Sequence, residues 1–514
     1  MTAASDNTRR IAKNTMMLYI RMLFSMLVSL YTSRVVLNTL GVEDYGIYNV
    51  VGGLVSMFTL VSSSLSAAVS RFLTFELGRG DSEMLKRVFS TSLLIHMLLA
   101  AVIVILSETV GLWFLNTHMT IPPERLQAAR WVLHASTAGF ALSLVSVPYN
   151  ASIVSHEKMS VYAYIGILDV LLRLAAVLFL AYAPFAGDRL VIYALLLLGI
   201  GFVMQGIYMT YCRSNFDECR FRIEFDRRCW KEISAFAGWN FIGCTAGLLK
   251  DQGVNILLNI FIGPVVNAAR GIASSVNTAV CSFSGNFMTA LNPQITKSYA
   301  AGERNYTMSL VERGSRFSFY MMLALALPIL FETDFILTLW LKQYPEHAVA
   351  FVRLVLLLSM CEVLSNTLIT LQLATGKIRN YQLAVGGIQL MNFPLSWICL
   401  KIGMAPEAVY VVAIAISMGA LLLRLFFLRK MAGLKARQYL RNVCLNALVV
   451  LLAACVLPGI VYMGMPDDGW TRFVSVCSVS VLSALAASFL IGCTTTEKQF
   501  ILEKVRTLKE RVMG

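Results

Sequence analysis

The chain is a succession of apolar runs of about 20 residues, the length that crosses a bilayer core, separated by short polar breaks. The runs are continuous and do not alternate with period two, so they predict spanning helices and not barrel strands. About fourteen spans are expected on this pattern. Six lie near 15–37, 46–69, 88–114, 126–148, 160–183 and 189–211, and six near 234–260, 266–290, 315–339, 350–373, 380–400 and 406–428. Two more follow near 442–463 and 471–492. The expected organisation is an N-lobe over 1–211, a linker over 212–233, a C-lobe over 234–430, two extra spans within 431–495 and a tail over 496–514. In the linker Phe221, Ile223 and Phe225 alternate with Arg222, Glu224 and Asp226, which suits a segment along the membrane surface. In the tail Ile501, Val505, Leu508 and Val512 share one face of a basic amphipathic helix.

The pattern also repeats. A 222-residue offset relates Gly41 to Gly263 and Gly80 to Gly302, and it sets Ser64 on Asn286. Each copy is two apolar helices around a glycine turn, the second rich in Ser, Thr and Asn, closed by Gly80-Asp81 or Gly302-Glu303. Two pseudo-symmetric six-helix lobes facing one another across a polar seam are therefore expected, as in many membrane transporters.

Composition supports lipid as the solvent: 57% of the 514 residues are hydrophobic and only 14% are charged. The net charge of +14 is topological, because alternate loops collect the cations. Arg9, Arg10 and Lys13, then Arg79, Lys86 and Arg87, then Arg220, Arg227, Arg228 and Lys231 lie on one side, with Lys435, Arg437 and Arg441 further on. The intervening loops hold single cations such as Arg125, Arg189 and Arg472. The positive-inside bias puts both termini in the cytosol of a multi-pass protein, and nucleic acid is not an expected partner. The first apolar run is long, contains Arg21 and Arg34 and lacks a cleavage pattern, so it is expected to remain as a span. The eleven cysteines are scattered; Cys212, Cys219 and Cys229 share a loop without a CxxC or nearby His, which fits free thiols better than zinc.

Ionisable residues inside spans each cost about 2.5–3.5 kcal/mol and need an aqueous cavity or a partner. They are Arg21 and Arg34 in span 1, Asp169 and Arg173 in span 5, Lys250 and Asp251 in span 7, Arg270 in span 8 and Glu362 in span 10. Asp169 and Arg173 are four residues apart on one helix and suit mutual neutralisation. If they face the seam, Arg21, Arg34, Lys250 and Arg270 form a cationic ladder suited to phosphate or pyrophosphate. The alternative for Arg21 and Arg34 is snorkelling to the two interfaces. Ser64 and Asn286 either meet sugar or allow close helix packing. Asp251 and Glu362 are candidates for coupling to a proton or sodium gradient. His96 and His134 fit packing roles.

Thr375-Gly376-Lys377 lacks the remaining residues of a phosphate-binding loop, and no metal cluster or nucleophilic triad is visible. The expectation is a transporter without a cofactor, not an enzyme.

The residues Ser33-Arg34 through Leu40-Gly41-Val42-Glu43-Asp44-Tyr45-Gly46-Ile47-Tyr48, with Arg71 and Gly78 to Asp81, resemble the start of bacterial polysaccharide repeat-unit flippases. Asp251 with Gly263, Asn292-Pro293-Gln294-Ile295 and Tyr299 to Glu303 resemble the matching second-lobe pattern. These flippases belong to the multidrug/oligosaccharidyl-lipid/polysaccharide (MOP) exporter superfamily. The resemblance implies two lobes around a cationic cavity that opens alternately to cytosol and periplasm. It implies a cargo of oligosaccharide on polyprenyl pyrophosphate, moved across the bacterial inner membrane for O-antigen, capsule or exopolysaccharide, with polymerase and chain-length machinery as partners. Spans 13 and 14 would, by similarity to peptidoglycan-precursor flippases, supply a groove for the lipid tail. Drug exporters of the superfamily usually hold a carboxylate in span 1, where this chain has cations; that departure disfavours drug efflux, and a cation-coupled multidrug exporter is the alternative reading. A non-transport lipid-binding scaffold is the other.

Overall fold

Glycines in left-handed backbone mark where the helices turn. Gly41 (φ 80°) and Gly263 (φ 116°) are one pair, and Gly80 (φ 74°) and Gly302 (φ 80°) are the other. A side chain is strained in this conformation, and glycine is not. These four positions are the ones related by the common offset, so the internal repeat is present in the backbone.

A computed structural model describes residues 2–117, 119, 121–182, 187–220, 226–465, 469–499 and 502. Helix α1 (Thr2–Ser56) kinks at Gly41, and α2 (Thr59–Arg79) ends on Gly80. Next come α3 (Ser82–Leu106), α4 (Leu112–Thr117), α5 (Leu126–Ser155), α6 (Met159–Tyr182) and α7 (Arg189–Asn215). The two long helices α8 (Arg227–Phe261) and α9 (Pro264–Ala300) flank Gly263. Then follow α10 (Arg304–Phe331), α11 (Thr333–Leu341), α12 (Ala348–Val363), α13 (Asn366–Thr375), α14 (Arg379–Leu390) and α15 (Asn392–Lys401). Last are α16 (Ala408–Ala432), α17 (Ala436–Tyr439), α18 (Asn446–Gly464) and α19 (Trp470–Ala487). No strand occurs among the described residues. The paired residues Phe221, Ile223 and Phe225, and the tail positions Ile501, Val505, Leu508 and Val512, lie outside them.

By length and apolarity, eleven segments among the described residues qualify as membrane spans. Counting the bent pair Glu43–Val55 and Thr59–Arg79, which meet at 50°, as one span makes twelve. The expected count of fourteen is not confirmed. Helices α8 and α9 are long enough, at 35 and 37 residues, but polar residues dilute them. Asn240, Thr245, Lys250 and Asp251 interrupt one; Asn267, Arg270, Ser274 and Asn277 interrupt the other. Elsewhere the usual burial pattern is inverted. Leu448, Leu452, Val456 and Ile460 form an exposed stripe on α18 at intervals of four, each at least 50% accessible. Such a stripe on a helix long and apolar enough to span fits contact with lipid.

The chain divides into two units, Met1–Thr245 with Thr289–Glu303, and Ala246–Met288 with Arg304–Gly514. In the first, α5 is central and packs on α2, α3 and α7, while α1 lies along α6. Two charged clusters hold the helix ends there. Arg125, at the start of α5, donates from Nη1 to Asp188 at 2.7 Å and from Nε to Asp44 at 2.8 Å. It thereby ties the segment after the Gly41 kink to the cap of α7, where Asp188 accepts from the Leu190 N–H. At the other end of α5, the buried Glu157 carboxylate takes Arg10 at 3.0 Å, Lys297 at 2.9 Å and the Gln294 amide. That carboxylate joins α1, the α5–α6 turn and the end of α9.

In the second unit α10 packs on α12, α13, α18 and α19, and α16 on α12 to α15. Glu332 and Arg472 form a buried two-pronged ion pair at 3.0 and 3.1 Å between the end of α10 and α19. The extra pair α18–α19 is locked to the body of the unit through this bridge.

Candidate functional site

Each unit contains a polar cavity among its helices. The second unit's cavity, of about 430 Å³, lies between α8, α9, α12, α15 and α16. Lys250 and Asp251 are neighbours on α8, and Arg270 is on α9 beyond the Gly263 turn, so the hairpin brings all three to one wall. The Lys250 ammonium, only 9% exposed as a residue, donates to Glu362 Oε1 on α12 at 2.9 Å. Arg270 donates from Nη2 to the Asp251 carbonyl at 2.9 Å. Its buried Nη1 has no partner among the described residues, and neither do Asn267 Oδ1 and Asn392 Oδ1. Ser359 bonds Asn277 at 2.7 Å on the same wall. Two cations and two carboxylates leave this cavity formally neutral and rich in unmet hydrogen-bonding groups. Such a lining suits a small cation, a proton or a polyhydroxyl group better than a naked anion.

The first unit's cavity, of about 650 Å³, is lined from α1, α2, α5, α6 and α7. Arg21 lies with its guanidinium 4.3 Å above the Tyr162 ring. Gly166 permits this approach, since a Cβ there would come within 2.7 Å of Arg21 Cδ. Asp169 and Arg173 face the same space and pair with each other at 3.0 Å, as their spacing predicts. Among the described residues no carboxylate pairs with Arg21. Two cations against one carboxylate give this cavity a net positive lining.

The other expected site residues lie elsewhere. Arg34 is exposed on α1 and lines neither cavity. Ser64 is 2% exposed and donates to the Ala237 carbonyl at 2.7 Å. Asn286 bonds the Ser282 carbonyl of its own helix at 2.9 Å. Lys250 and Arg270, expected with the anion-binding set, share a cavity with the coupling candidates Asp251 and Glu362. His96 is buried against the Ser92 carbonyl, and His134 meets Glu108 at 2.8 Å. Cys212, Cys219 and Cys229 are free and buried; a hydrogen bond to Cys212, with burial, pushes the Cys219 thiol above its ordinary range. No metal-binding group occurs among the described residues.

Sequence reasoning missed Asn255, Asn267, Asn277, Ser359 and Asn392. The signal was present in α9, where Asn267, Arg270, Ser274 and Asn277 repeat at intervals of three and four and so form one polar face. Glu157 was missed as well; its clue is a charged break, His156-Glu157-Lys158, between two apolar runs.

With the described residues all-helical, these candidate spans and polar cavities among the helices make the chain a multi-pass membrane protein. Solved structures agree on the fold. The chain is similar to a MATE protein in the straight conformation, at TM-score 0.71 and 14% identity over 83% of this chain and 96% of that one. It is similar to an outward-facing multidrug resistance MATE transporter of the MOP superfamily, at TM-score 0.70 and 14% identity over 84% and 97%. A Pyrococcus furiosus MOP superfamily transporter, described as having a binding pocket of reverse polarity, matches at TM-score 0.67 and 14% identity over 82% and 96%. Residues 11–302, more than half of the chain, match the family described as polysaccharide biosynthesis protein, and the chain belongs to that family. A further relative is the uncharacterized membrane protein EpsK of Bacillus subtilis, 21% identical over 499 residues, 95% of this chain and 97% of that one.

Proposed function

We propose that this transporter flips oligosaccharide repeat units linked to polyprenyl pyrophosphate, by alternating access, from the cytosolic to the periplasmic leaflet of the bacterial inner membrane. The observation that carries the reading is Arg21, a guanidinium without a carboxylate partner among the described residues, lining a net positive cavity in the part of the chain that matches the family. Guanidinium binds phosphate through two parallel hydrogen bonds, and in a cavity shielded from water that attraction is stronger than in solution. An ion pair near 4 Å at an effective dielectric constant near 20 is worth about 4 kcal/mol. The aromatic ring of Tyr162 orients the guanidinium without neutralising it.

The neutral cavity of the second unit is the proposed coupling site. A proton or sodium ion entering there competes with Lys250 for Glu362, or occupies Asp251, and so links cation movement to the state of that cavity. An inside-negative potential adds about 2.3 kcal/mol per charge per 100 mV to outward movement of an anionic cargo. Both termini are assigned to the cytosol by the cation bias of the loops, and the lobes to 1–211 and 234–430.

The test is replacement of Arg21, Arg34, Lys250 and Arg270 singly by Ala in the native host. Protein level, surface polysaccharide and the leaflet in which lipid-linked oligosaccharide accumulates are scored. Arg21→Ala should accumulate the cytosol-facing intermediate at a normal protein level. Normal polysaccharide in that strain would return Arg21 to a snorkelling role and favour drug export or a scaffold.

A further inference from the structure

A third cavity, of about 860 Å³, lies in the second unit and belongs to neither site above. It opens where several helices end on one membrane face: the start of α10, the end of α16, the start of α17 and the turn that follows α19. Five cations line it, namely Arg304, Arg313, Arg316, Lys435 and Arg441. Glu312 also lines it, and Glu497 pairs with Arg316 at 2.7 Å and with Arg313 at 3.4 Å. Five cations against these two carboxylates leave the site about three charges positive by formal count. Arg316 is 7% exposed, and its Nε has no hydrogen-bond partner among the described residues. The recess therefore offers an unmet buried donor behind its cationic rim.

The surroundings indicate what would neutralise it. Ile491 lines the cavity and is 45% exposed, and the adjoining Leu490, Leu445 and Leu448 are 65%, 54% and 50% exposed. A cationic recess at the ends of spanning helices, beside bare apolar surface, matches an amphiphile with an anionic head. A soluble anion would use the charges and leave the apolar flank in contact with nothing it could recognise.

We propose that this recess binds the phosphate headgroup of an anionic membrane lipid, with the acyl chains along α18 and the turn after α19. Lys435 and Arg441 are exposed at the rim and make the first contact; Arg316, held by Glu497, offers its unpartnered Nε at the inner wall. The proposed occupant is a bilayer phospholipid and not the cargo lipid expected along the same helices. Binding of phosphatidylglycerol is read without any flipping, so failure of one reading is distinguishable from failure of the other.

Native mass spectrometry of the full chain in detergent tests the proposal with phosphatidylglycerol, phosphatidylcholine of the same acyl chains and inorganic pyrophosphate. Phosphatidylglycerol should be retained in preference to phosphatidylcholine, and excess pyrophosphate should not displace it. Lys435→Gln combined with Arg441→Gln should weaken phosphatidylglycerol binding about thirtyfold, at roughly one tenfold-or-less step per cation. Arg227→Gln with Lys231→Gln removes equal charge from another basic stretch and should leave binding unchanged. Equal retention of the two lipids, equal loss in both double variants, or unchanged binding in the Lys435/Arg441 variant would each overturn the assignment. Displacement by pyrophosphate would also overturn it, because the recess would then be a soluble-anion site.

Discussion

Lys250 Nζ donates to Glu362 Oε1 at 2.9 Å, joining α8 to α12 across 112 residues of chain. The neighbouring Asp251 carboxylate faces the same cavity and is not the partner of that lysine in this arrangement. One carboxylate is thus engaged while another stays available, the arrangement on which the proposed coupling role draws. Lys250→Ala should lower transport and cost about 2 kcal/mol of stability, below the 3–5 of a fully buried pair. The reduction follows from Glu362, whose side chain is 42% exposed. Adding Glu362→Gln should recover part of the stability but not the transport. Thermal unfolding in detergent and flipping in proteoliposomes separate the two effects.

Glu332 and Arg472 give the opposite case, because both are buried and the bond is two-pronged. Arg472→Ala should cost about 3–5 kcal/mol and loosen α19 from α10, since Glu332 would be left charged and alone. Arg472→Leu with Glu332→Gln should restore most of that loss. Unfolding midpoints of the three variants check the order.

Gly166→Ala should displace Arg21 from Tyr162, since the added Cβ would stand 2.7 Å from Arg21 Cδ. The neighbour is a flexible side chain, so the stability cost should stay near 1 kcal/mol, at the low end for overpacking. Accumulation of cytosol-facing lipid-linked oligosaccharide with normal protein level is the expected outcome. Normal polysaccharide export would show that the position of Arg21 is unimportant.

Gly80→Ala and Gly302→Ala should destabilise equally, by about 1–2 kcal/mol each. Both glycines are left-handed, and at neither would a Cβ meet an atom within 4 Å, so backbone strain is the whole effect. Asn at either position should be tolerated better than Ala, since Asn visits this region more readily. Unequal costs measured by thermal unfolding would contradict the structural equivalence of the two halves.

Asp226 caps α8 by accepting from the N–H groups of Arg228 at 2.8 Å and Cys229 at 3.2 Å. The Cys229 N–H is the largest influence holding its carboxyl below the usual range, with Arg87 contributing. A depressed folded-state pKa means that the cap's contribution is complete above the unfolded value of about 3.9. It is then lost as pH falls through the folded value. Amide protection at Arg228 and Cys229 should therefore be flat from neutral pH to about 5 and decline below about 4, after correction for intrinsic exchange. Asp226→Ala should lower it at neutral pH and remove the decline below about 4, so that the two proteins converge in acid.

Hydropathy and glycine spacing were enough to read the helices and the internal repeat from the chain. A run of apolar residues must meet lipid wherever it lies, and a left-handed turn favours glycine whatever surrounds it. For the same reason Lys250, Asp251, Arg270 and Glu362 stood out one by one, because charge inside a span is costly in any fold. Tertiary structure decided the partners. Lys250 with Glu362, Arg125 with Asp44 and Asp188, and Glu157 with Arg10 and Lys297 join segments far apart in the chain. The same holds for Ser64, which packing assigns to the Ala237 carbonyl and not to a cavity. Periodicity fixes which face of a helix is polar, but which other polar face it meets depends on the rotation and depth at which helices pack. Those follow from the fit of many side chains at once.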